Sequence, residues 1–157
     1  MDEAIRDATM VGAAAIEPIV TSHLDVRSAV FSKASTLERW RRLALASAKQ
    51  CRRAVVPAVH APRPMREWLA SATWGLKLIL VEPAAEVERT SLRELRRHAA
   101  PDSCALMIGP EGGWDAREIE AAVSVGALAV TLGSLTLRAD AMALAAGTVI
   151  RSVWEDW

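Results

Sequence analysis

Residues 104–146 read CALMIGPEGGWDAREIEAAVSVGALAVTLGSLTLRADAMALAA, and in this stretch short apolar runs alternate with helical patterns. The runs CALMI at 104–108 and AVTL at 129–132 have the length and apolar character of buried strands. Between them, Asp115 is followed three residues later by Glu118, which predicts a capped helix that ends near Gly126. The Ala-rich stretch 141–154 predicts a final helix. Strands that alternate with helices predict an α/β domain with a mainly parallel sheet.

The upstream half of the chain continues this alternation. The strongest strand signal is LKLILV at 76–81, a continuous apolar run that predicts a central strand buried on both faces. Ser35 and Glu38 form a capping-box pattern that predicts a helix reaching about Arg53. The apolar stripe of that helix comprises Leu37, Trp40, Ala44, Ala48 and Cys51.

Weaker signals complete this assignment. We predict helices at 2–11, 64–70 and 91–98 and strands at 14–20 and 55–60, whereas 21–34 show no clear pattern. Gly12 should end the first helix, and Pro18 should confine the first strand to an edge or an irregular end. Residues 1–157 are therefore expected to form a single three-layer α/β domain.

Composition excludes several classes of protein. The chain has 157 residues, 52% hydrophobic and 24% charged, so intrinsic disorder is excluded. Cys51 and Cys104 have no CxxC partners, which argues against a disulfide framework or a metal site and fits a reducing compartment. The charged start is no signal peptide and no run of about 20 apolar residues exists, so we expect a cytoplasmic protein without a membrane partner. The sequence contains no Tyr, which excludes a Tyr nucleophile.

The zero net charge hides a local excess of positive charge. Lys plus Arg and Asp plus Glu each number 19, which does not indicate a globally basic nucleic-acid binder. However, residues 37–66 contain eight basic side chains against Glu38 alone. The excess is either a solvated helix face or a surface that contacts phosphates, in which case Arg42, Lys49, Arg52 and Arg53 are the candidate RNA contacts.

Two loops that follow predicted strands carry the candidate chemistry. The first is IGPEGGW at 108–114, whose glycines permit close approach of a ligand to the backbone just before a helix start. It matches neither a GxGxxG fingerprint nor a phosphate-binding GxxxxGK motif. The second is LGSLTLRAD at 132–140. There Arg138 lies among apolar residues beside a helix start, where a cation needs a partner anion such as Asp140 or Glu111.

Taken together, the two loops resemble the RsmE family of 16S rRNA (uracil-N3)-methyltransferases. The resemblance rests on IGPEGG followed by LG and LR in residues 106–146. Upstream, ERWRRLALASAKQCRRAVVPAV and AIRDATMVGAAAIEPIV are similar to further family motifs. The resemblance therefore covers nearly the whole chain.

The resemblance implies the SPOUT fold, with S-adenosylmethionine bound in a deep trefoil knot at a homodimer interface. The final helix would thread the knot. Independently of the resemblance, the apolar surface of this helix, which ends in Trp154 and Trp157, predicts a dimer, unless these Trp residues close the core of a single chain. The implied cofactor-binding residues come from three loops: Val81, Glu82, Ile108, Gly109, Pro110, Gly112, Gly113, Leu132, Gly133, Ser134, Leu137 and Arg138. The implied partner is 16S rRNA or the small ribosomal subunit.

Methylation at uracil N3 requires loss of a proton, which limits the candidate catalytic groups. Arg138 is expected to stabilise the developing negative charge, and Glu111 or Asp140 to accept the proton. His23, His60 and His98 are alternative proton acceptors. The chain departs from the family at Lys49-Gln50, at Met10-Val11, at Ser22-His23-Leu24 and at Ala139-Asp140.

No stretch of the sequence corresponds to the family's N-terminal PUA-like RNA-binding barrel. This difference leaves a second interpretation open, a SPOUT domain that binds S-adenosylmethionine or RNA without turnover. A ribose 2′-O-methyltransferase is a third interpretation, but the stretch LTLRADA lacks the Asn-rich motif expected of one.

Overall fold

The computed structural model describes residues 1–23, 33–71, 73–135 and 137–154. The helices in these ranges are α1 (Asp2–Met10), α2 (Ala34–Gln50), α3 (Met65–Ser71), α4 (Leu92–Leu95), α5 (Ala116–Ser124) and α6 (Ala139–Val153). The strands are β1 (Ala15–Ile16), β2 (Ile19–Val20), β3 (Ala58–Val59), β4 (Arg63–Pro64), β5 (Leu76–Leu80), β6 (Cys104–Met107) and β7 (Leu128–Val130). The alternation predicted from the sequence is therefore present.

A three-stranded parallel sheet of order β6-β5-β7 lies at the centre of the fold. Leu78 of β5 aligns with Leu106 of β6 on one side and with Leu128 of β7 on the other. Because the strands are parallel, their carboxyl ends meet at one edge of the sheet, where ligands of open α/β sheets usually bind. The loops that contain the two glycine motifs leave the sheet at this edge.

Both faces of this sheet are buried, in agreement with the prediction for residues 76–81. Ile79 and Val81 pack on one side with residues of α3 and α5, such as Trp68 and Ala122. Leu78 and Leu80 pack on the other side, against α4 and α6. Consecutive residues of a strand point to opposite faces, so the unbroken apolar run places helices on both sides of the sheet.

Two small parallel strand pairs, β1–β3 and β2–β4, lie outside the central sheet. The predicted continuous strand over 14–20 is wrong, because the chain breaks at Glu17 and Pro18 between β1 and β2. Pro18 has no N–H to give to a ladder, although its carbonyl accepts a bond of 3.2 Å from Arg63 N. The strand predicted over 55–60 is likewise confined to residues 58–59, and β4 was not predicted.

The helix termini show which local signals operate. The predicted ends of α1 at Gly12 and of α5 near Gly126 are confirmed, and both glycines have positive φ. The predicted cap at Ser35 is wrong, because α2 begins at Ala34 with Lys33 as its N-cap. Glu38 is held by Arg41 Nη1 at 3.0 Å instead of returning to a cap residue.

The helix predicted over 91–98 is shorter than expected, since α4 contains only Leu92–Leu95. Ser91 and Glu94 form a reciprocal capping box at its start. Hydrogen bonds from the Ser91 hydroxyl and backbone amide lower the pKa of Glu94. Among the described residues, none of the helices has the length and hydropathy needed to cross a bilayer.

Candidate active site

A cavity of about 410 Å³ opens at the carboxyl edge of the central sheet. Residues that follow all three strands contribute to its wall, together with the start of α6. Its lining consists of Leu80, Val81, Glu82, Pro83, Ile108, Gly109, Pro110, Glu111, Gly113, Trp114, Thr131, Leu132, Leu135, Leu137, Arg138, Ala139 and Met142. The sequence motifs at 108–114 and 132–138 are thus brought together, as the resemblance implied.

The loop after β6 folds into a tight turn, and a hydrogen bond from the Trp114 indole connects it to β5. Gly113 N donates to Pro110 O at 2.9 Å, which places Glu111 and Gly112 at the centre of the turn. Trp114 Nε1 donates to Leu80 O at 2.8 Å. A Cβ on Gly109 would lie 3.0 Å from Trp114 Nε1, so this glycine allows the indole to pack directly on the loop backbone.

Gly113 fills a different role in the same loop. Its φ of 73° belongs to the left-handed region that glycine adopts without steric cost. A Cβ there would lie 3.3 Å from Glu82 Oε1. Gly113 therefore both permits the turn and leaves space for the carboxylate that follows β5.

The loop after β7 brings Arg138 to the start of α6. Thr131 Oγ1 donates to Gly133 O at 3.0 Å, and Gly133 has a φ of 128°. Arg138 is the N-cap of α6 and is exposed, with its side chain on the cavity wall. Gly133 and Ser134, predicted to bind the cofactor, lie outside the lining because the turn carries them away from it.

The cavity presents charges of both signs. Glu82 and Glu111 supply carboxylates, and Arg138 supplies a guanidinium. Asp140 lies in the first turn of α6, but its side chain falls outside what the structure describes. Two of the three predicted catalytic residues, Arg138 and Glu111, therefore share one cavity.

Gly112 is not placed as predicted, since it does not line this cavity. It lies against His23, whose Nδ1 is 3.1 Å from Gly112 O. A Cβ on Gly112 would come within 3.1 Å of His23 Cβ. The close approach of His23 is therefore one reason for glycine at position 112, and the cofactor contact of Gly112 stays a prediction.

Among the predicted RNA-binding residues, Arg53 has a structural role. Its guanidinium donates to the carbonyls of Thr9, Gly12 and Ala13 at 2.8, 3.3 and 3.0 Å. These bonds engage the carboxyl end of α1, so the guanidinium is already occupied. The sequence did not predict these contacts, because hydrogen bonds between residues at least 40 positions apart leave no local pattern.

The other three predicted RNA contacts are exposed. Arg42 and Lys49 lie seven residues apart on α2 and hence on the same face, opposite the buried Trp40 and Ala44. Arg52 follows the helix with a φ of 58°. These exposed side chains of the basic segment remain available to a partner.

The histidines and cysteines lie outside the cavity. His60 and His98 belong to other parts of the fold, and His23 contacts only the outer side of the turn. Cys104 as a residue is exposed, but burial of its thiol raises the pKa of that thiol to about 11. The Cys104 thiol is therefore protonated at neutral pH. Within the described ranges no cluster of His, Cys, Asp and Glu is suited to a metal ion.

Several lining residues were not predicted, and they share a position in the chain. They lie within or beside the predicted loops or in the first turn of α6: Leu80, Pro83, Trp114, Thr131, Leu135, Ala139 and Met142. A signal existed for Trp114, since it directly follows the Gly-Gly pair at the carboxyl end of a predicted strand. Met142 is placed by the first turn of α6, which a motif confined to the loop does not include.

Curated proteins named Ribosomal RNA small subunit methyltransferase E are similar to this chain. The protein from Synechocystis sp. is 31% identical over 138 residues, covering 88% of this chain and 44% of that protein. The one from Mycobacterium bovis is 36% identical over 129 residues, covering 76% and 47%. The chain spans about half the length of the curated relatives it matches.

Solved structures give the same relationship. A ribosomal RNA small subunit methyltransferase E from Neisseria gonorrhoeae, bound to S-adenosyl methionine, aligns with a TM-score of 0.84 and 31% identity over 98% of this chain and 61% of that one. A putative methyltransferase from Legionella pneumophila with bound SAM aligns with a TM-score of 0.85 and 28% identity, covering 97% and 60%.

The family resemblance read from residues 106–146 is thereby confirmed. A family model described as RNA methyltransferase domain matches residues 1–151, which is nearly the full chain. The chain belongs to this family of RNA methyltransferase domains.

Proposed function

We propose that this chain is an S-adenosylmethionine-dependent methyltransferase that modifies N3 of a uracil in 16S rRNA, in the cytoplasm. The proposal rests on one observation, the cavity at the carboxyl ends of β5, β6 and β7. The loops at 108–114 and 132–140 meet there. Relatives of this chain are named ribosomal RNA small subunit methyltransferase E, and one was solved with S-adenosyl methionine bound.

The residues on the cavity wall fit S-adenosylmethionine. The cavity volume of about 410 Å³ falls within the range of small-molecule sites. The carboxylates of Glu82 and Glu111 suit a ligand that carries an ammonium and a sulfonium, and Arg138 suits a carboxylate. The residues proposed to hold the cofactor are Val81, Glu82, Ile108, Gly109, Pro110, Gly113, Leu132, Leu137 and Arg138.

The chemistry proposed for the chain's own residues concerns charge and one proton. When bound, S-adenosylmethionine supplies an electrophilic methyl group. Uracil N3 must lose its proton to form a bond to that carbon, and the Glu111 carboxylate can accept the proton. The Arg138 guanidinium then stabilises the negative charge that spreads over the uracil ring. Asp140 is the alternative proton acceptor, and orientation in the cavity supplies a further share of the rate.

Three structural proposals accompany this function. The cofactor loops form a trefoil knot threaded by α6, because α6 begins at the cavity and the loops after β5, β6 and β7 all converge there. Two copies associate as a homodimer. Residues 1–157 act as one catalytic unit, and 16S rRNA reaches it along the exposed basic face of α2.

Calorimetry and a methylation assay test the proposed function. Wild-type protein should bind S-adenosylmethionine at one site per chain and transfer labelled methyl groups to 16S rRNA or to small ribosomal subunits lacking the modification. Arg138→Ala should lower methylation by roughly 10²–10³-fold, because it removes a charge that stabilises the transition state. Arg117→Ala, an exposed arginine on α5, is the matched control and should leave methylation unchanged.

The outcomes of this experiment separate the two functions considered above. Cofactor binding without methyl transfer to any of these RNAs would support the domain that binds without turnover. Absence of cofactor binding, measured by calorimetry and by thermal shift, would exclude the methyltransferase and would leave only RNA binding without turnover.

A further inference from the structure

The short segment that follows β2 contacts the turn after β6, although the two are about 90 positions apart in the sequence. His23 Nδ1 lies 3.1 Å from Gly112 O. A carbonyl oxygen only accepts hydrogen bonds, so Nδ1 carries the proton in this contact. Gly112 is a central residue of the turn closed by Gly113 N and Pro110 O.

A second contact fixes the same segment at the start of α5. Ser22 N donates to Glu118 Oε1 at 2.7 Å, and Ser22 Oγ donates to the same oxygen at 3.2 Å. The other oxygen of Glu118 accepts from Asp115 N at 3.0 Å, as part of the α5 capping box. One carboxylate thus joins residues 21–23 to the helix that follows the glycine loop.

The position of the turn matters because its residues face two directions. Glu111 and Gly113 line the proposed cofactor cavity, whereas Gly112 between them faces His23. A Cβ on Gly112 would lie 3.1 Å from His23 Cβ and 3.2 Å from His23 O, so a side chain there would push His23 away by a few tenths of an ångström. The φ of Gly112 is not positive, so a larger residue at 112 is opposed by this contact and not by the backbone conformation.

We propose that His23 is a positioning residue that holds the Pro110–Gly113 turn through Gly112 O and thereby fixes Glu111 and the loop backbone for the cofactor. The inference rests on the proposed function, because that function makes S-adenosylmethionine the ligand of the cavity. The positioning of the turn by His23 rests on the observed contacts alone. Segment 21–23 thus sets the geometry of a cavity that it does not line.

Four variants test the role of His23, with the affinity for S-adenosylmethionine as one measurement. His23→Ala should weaken binding about two- to tenfold, the effect of losing one hydrogen bond that orders a site. His23→Asn should restore most of the affinity, because the Asn amide N–H can occupy the place of Nδ1–H. Gly112→Ala should weaken binding in the same way as His23→Ala. His60→Ala, an exposed histidine that lines no part of the cavity, should bind like wild type.

The second measurement is hydrogen exchange in the peptide 108–114 without cofactor. His23→Ala and Gly112→Ala should accelerate exchange there by several-fold, while exchange in α2 stays at the wild-type rate. His23→Asn and His60→Ala should not accelerate it. Unchanged exchange in His23→Ala, or equal acceleration in His23→Asn, would overturn the proposal. If wild type fails to bind the cofactor, the proposed function fails, and the exchange measurement still decides the role of His23.

Discussion

Neighbouring arginines in this chain have different tasks, and only tertiary structure distinguishes them. Arg53 donates to three carbonyls at the carboxyl end of α1, whereas the adjacent Arg52 is exposed. A helix carries partial negative charge at its carboxyl end, so a guanidinium there is favourable in charge as well as in hydrogen bonding. Both arginines look alike in the sequence.

Replacement of Arg53 should therefore reduce stability rather than RNA affinity. We expect Arg53→Ala to lower the free energy of unfolding by about 1–3 kcal/mol, since the carbonyls of Thr9, Gly12 and Ala13 lose the donors that the guanidinium supplies. Arg52→Ala removes the same charge one position earlier and should change stability by less than about 0.5 kcal/mol. Urea denaturation of both variants measures the difference. Equal stability of the two would show that the Arg53 contacts contribute nothing.

The same contrast applies to the glycines of the loop after β6. Their clustering at the end of an apolar strand, together with the family resemblance, predicted that this loop borders a ligand site. It was not sufficient to assign each glycine a function, because Gly109 packs under Trp114, Gly113 faces Glu82 and Gly112 faces His23. Direction depends on the turn geometry and on residues distant in the sequence, and neither is encoded in the motif.

At the level of elements, the long apolar runs predicted their strands correctly. Local capping signals predicted some helix termini correctly but not the start of α2. The apolar runs at β5, β6 and β7 form the central sheet as expected. The carboxyl ends of α1, α2 and α5 all show the same pattern of backbone bonds to the last turn. At the ends of α1 and α5 the residue with positive φ is a glycine, Gly12 or Gly126, and both were predicted to end their helices. At the end of α2 this residue is Arg52, which was not predicted to have that role.

The short strands could not have been predicted with their observed bounds. β1 to β4 contain two residues each, and their pairing depends on a contact between residues about 45 positions apart. Arg63 of β4 also forms an ion pair of 2.6 Å with Glu17, which lies between β1 and β2. So short a strand gives no measurable alternation of polar and apolar residues.

Helix α2 is the element to which the RNA prediction belongs. Arg42 and Lys49 share its outward face, and within the described chain neither has an ion-pair partner. If this face contacts phosphates, Arg42→Ala and Lys49→Ala should each reduce the slope of log affinity against log salt by about 0.7–0.9, through loss of counterion release. Affinity for unrelated RNAs should fall in parallel, since phosphate contacts carry no sequence information.

Filter binding at several salt concentrations measures these slopes. Arg117→Ala, which removes an exposed positive charge on α5, is the control and should leave the slope unchanged. Unaltered slopes in both α2 variants would show that this helix face is only solvated, and would assign RNA contact to another part of the protein.

On the scale of the whole molecule, α6 joins the cavity to the N-terminal part of the fold. Its start carries Arg138 and Met142 on the cavity wall. Near its end, Arg151 Nη1 donates to Val11 O at 3.0 Å, and Gly147 accommodates the Val11 side chain. Helix α1, held by Arg53 and Arg151, therefore helps to place the helix that presents Arg138. A change at the α1 end has a physical route to the proposed active site.

The exposed apolar surface of α6 bears on the proposed homodimer. Of the two positions considered for Trp154, the structure shows the one in the core, and its Nε1 donates to His98 O at 3.1 Å. Trp157 lies outside the described residues. Leu144 of α6 remains 44% exposed, and Leu135 at the cavity rim 76%. Single exposed apolar side chains are normal on protein surfaces, so the proposed interface has to be tested directly at Leu144.

If α6 forms the interface, wild-type protein should sediment as a dimer at micromolar concentration and Leu144→Glu as a monomer, because a buried carboxylate without a partner opposes association. Leu45→Glu is the matched control, since Leu45 on α2 is 43% exposed and lies outside the proposed interface. Should both variants remain dimeric, the interface lies elsewhere. A wild-type monomer would contradict the dimer itself, and the active site would then have to be complete within one chain.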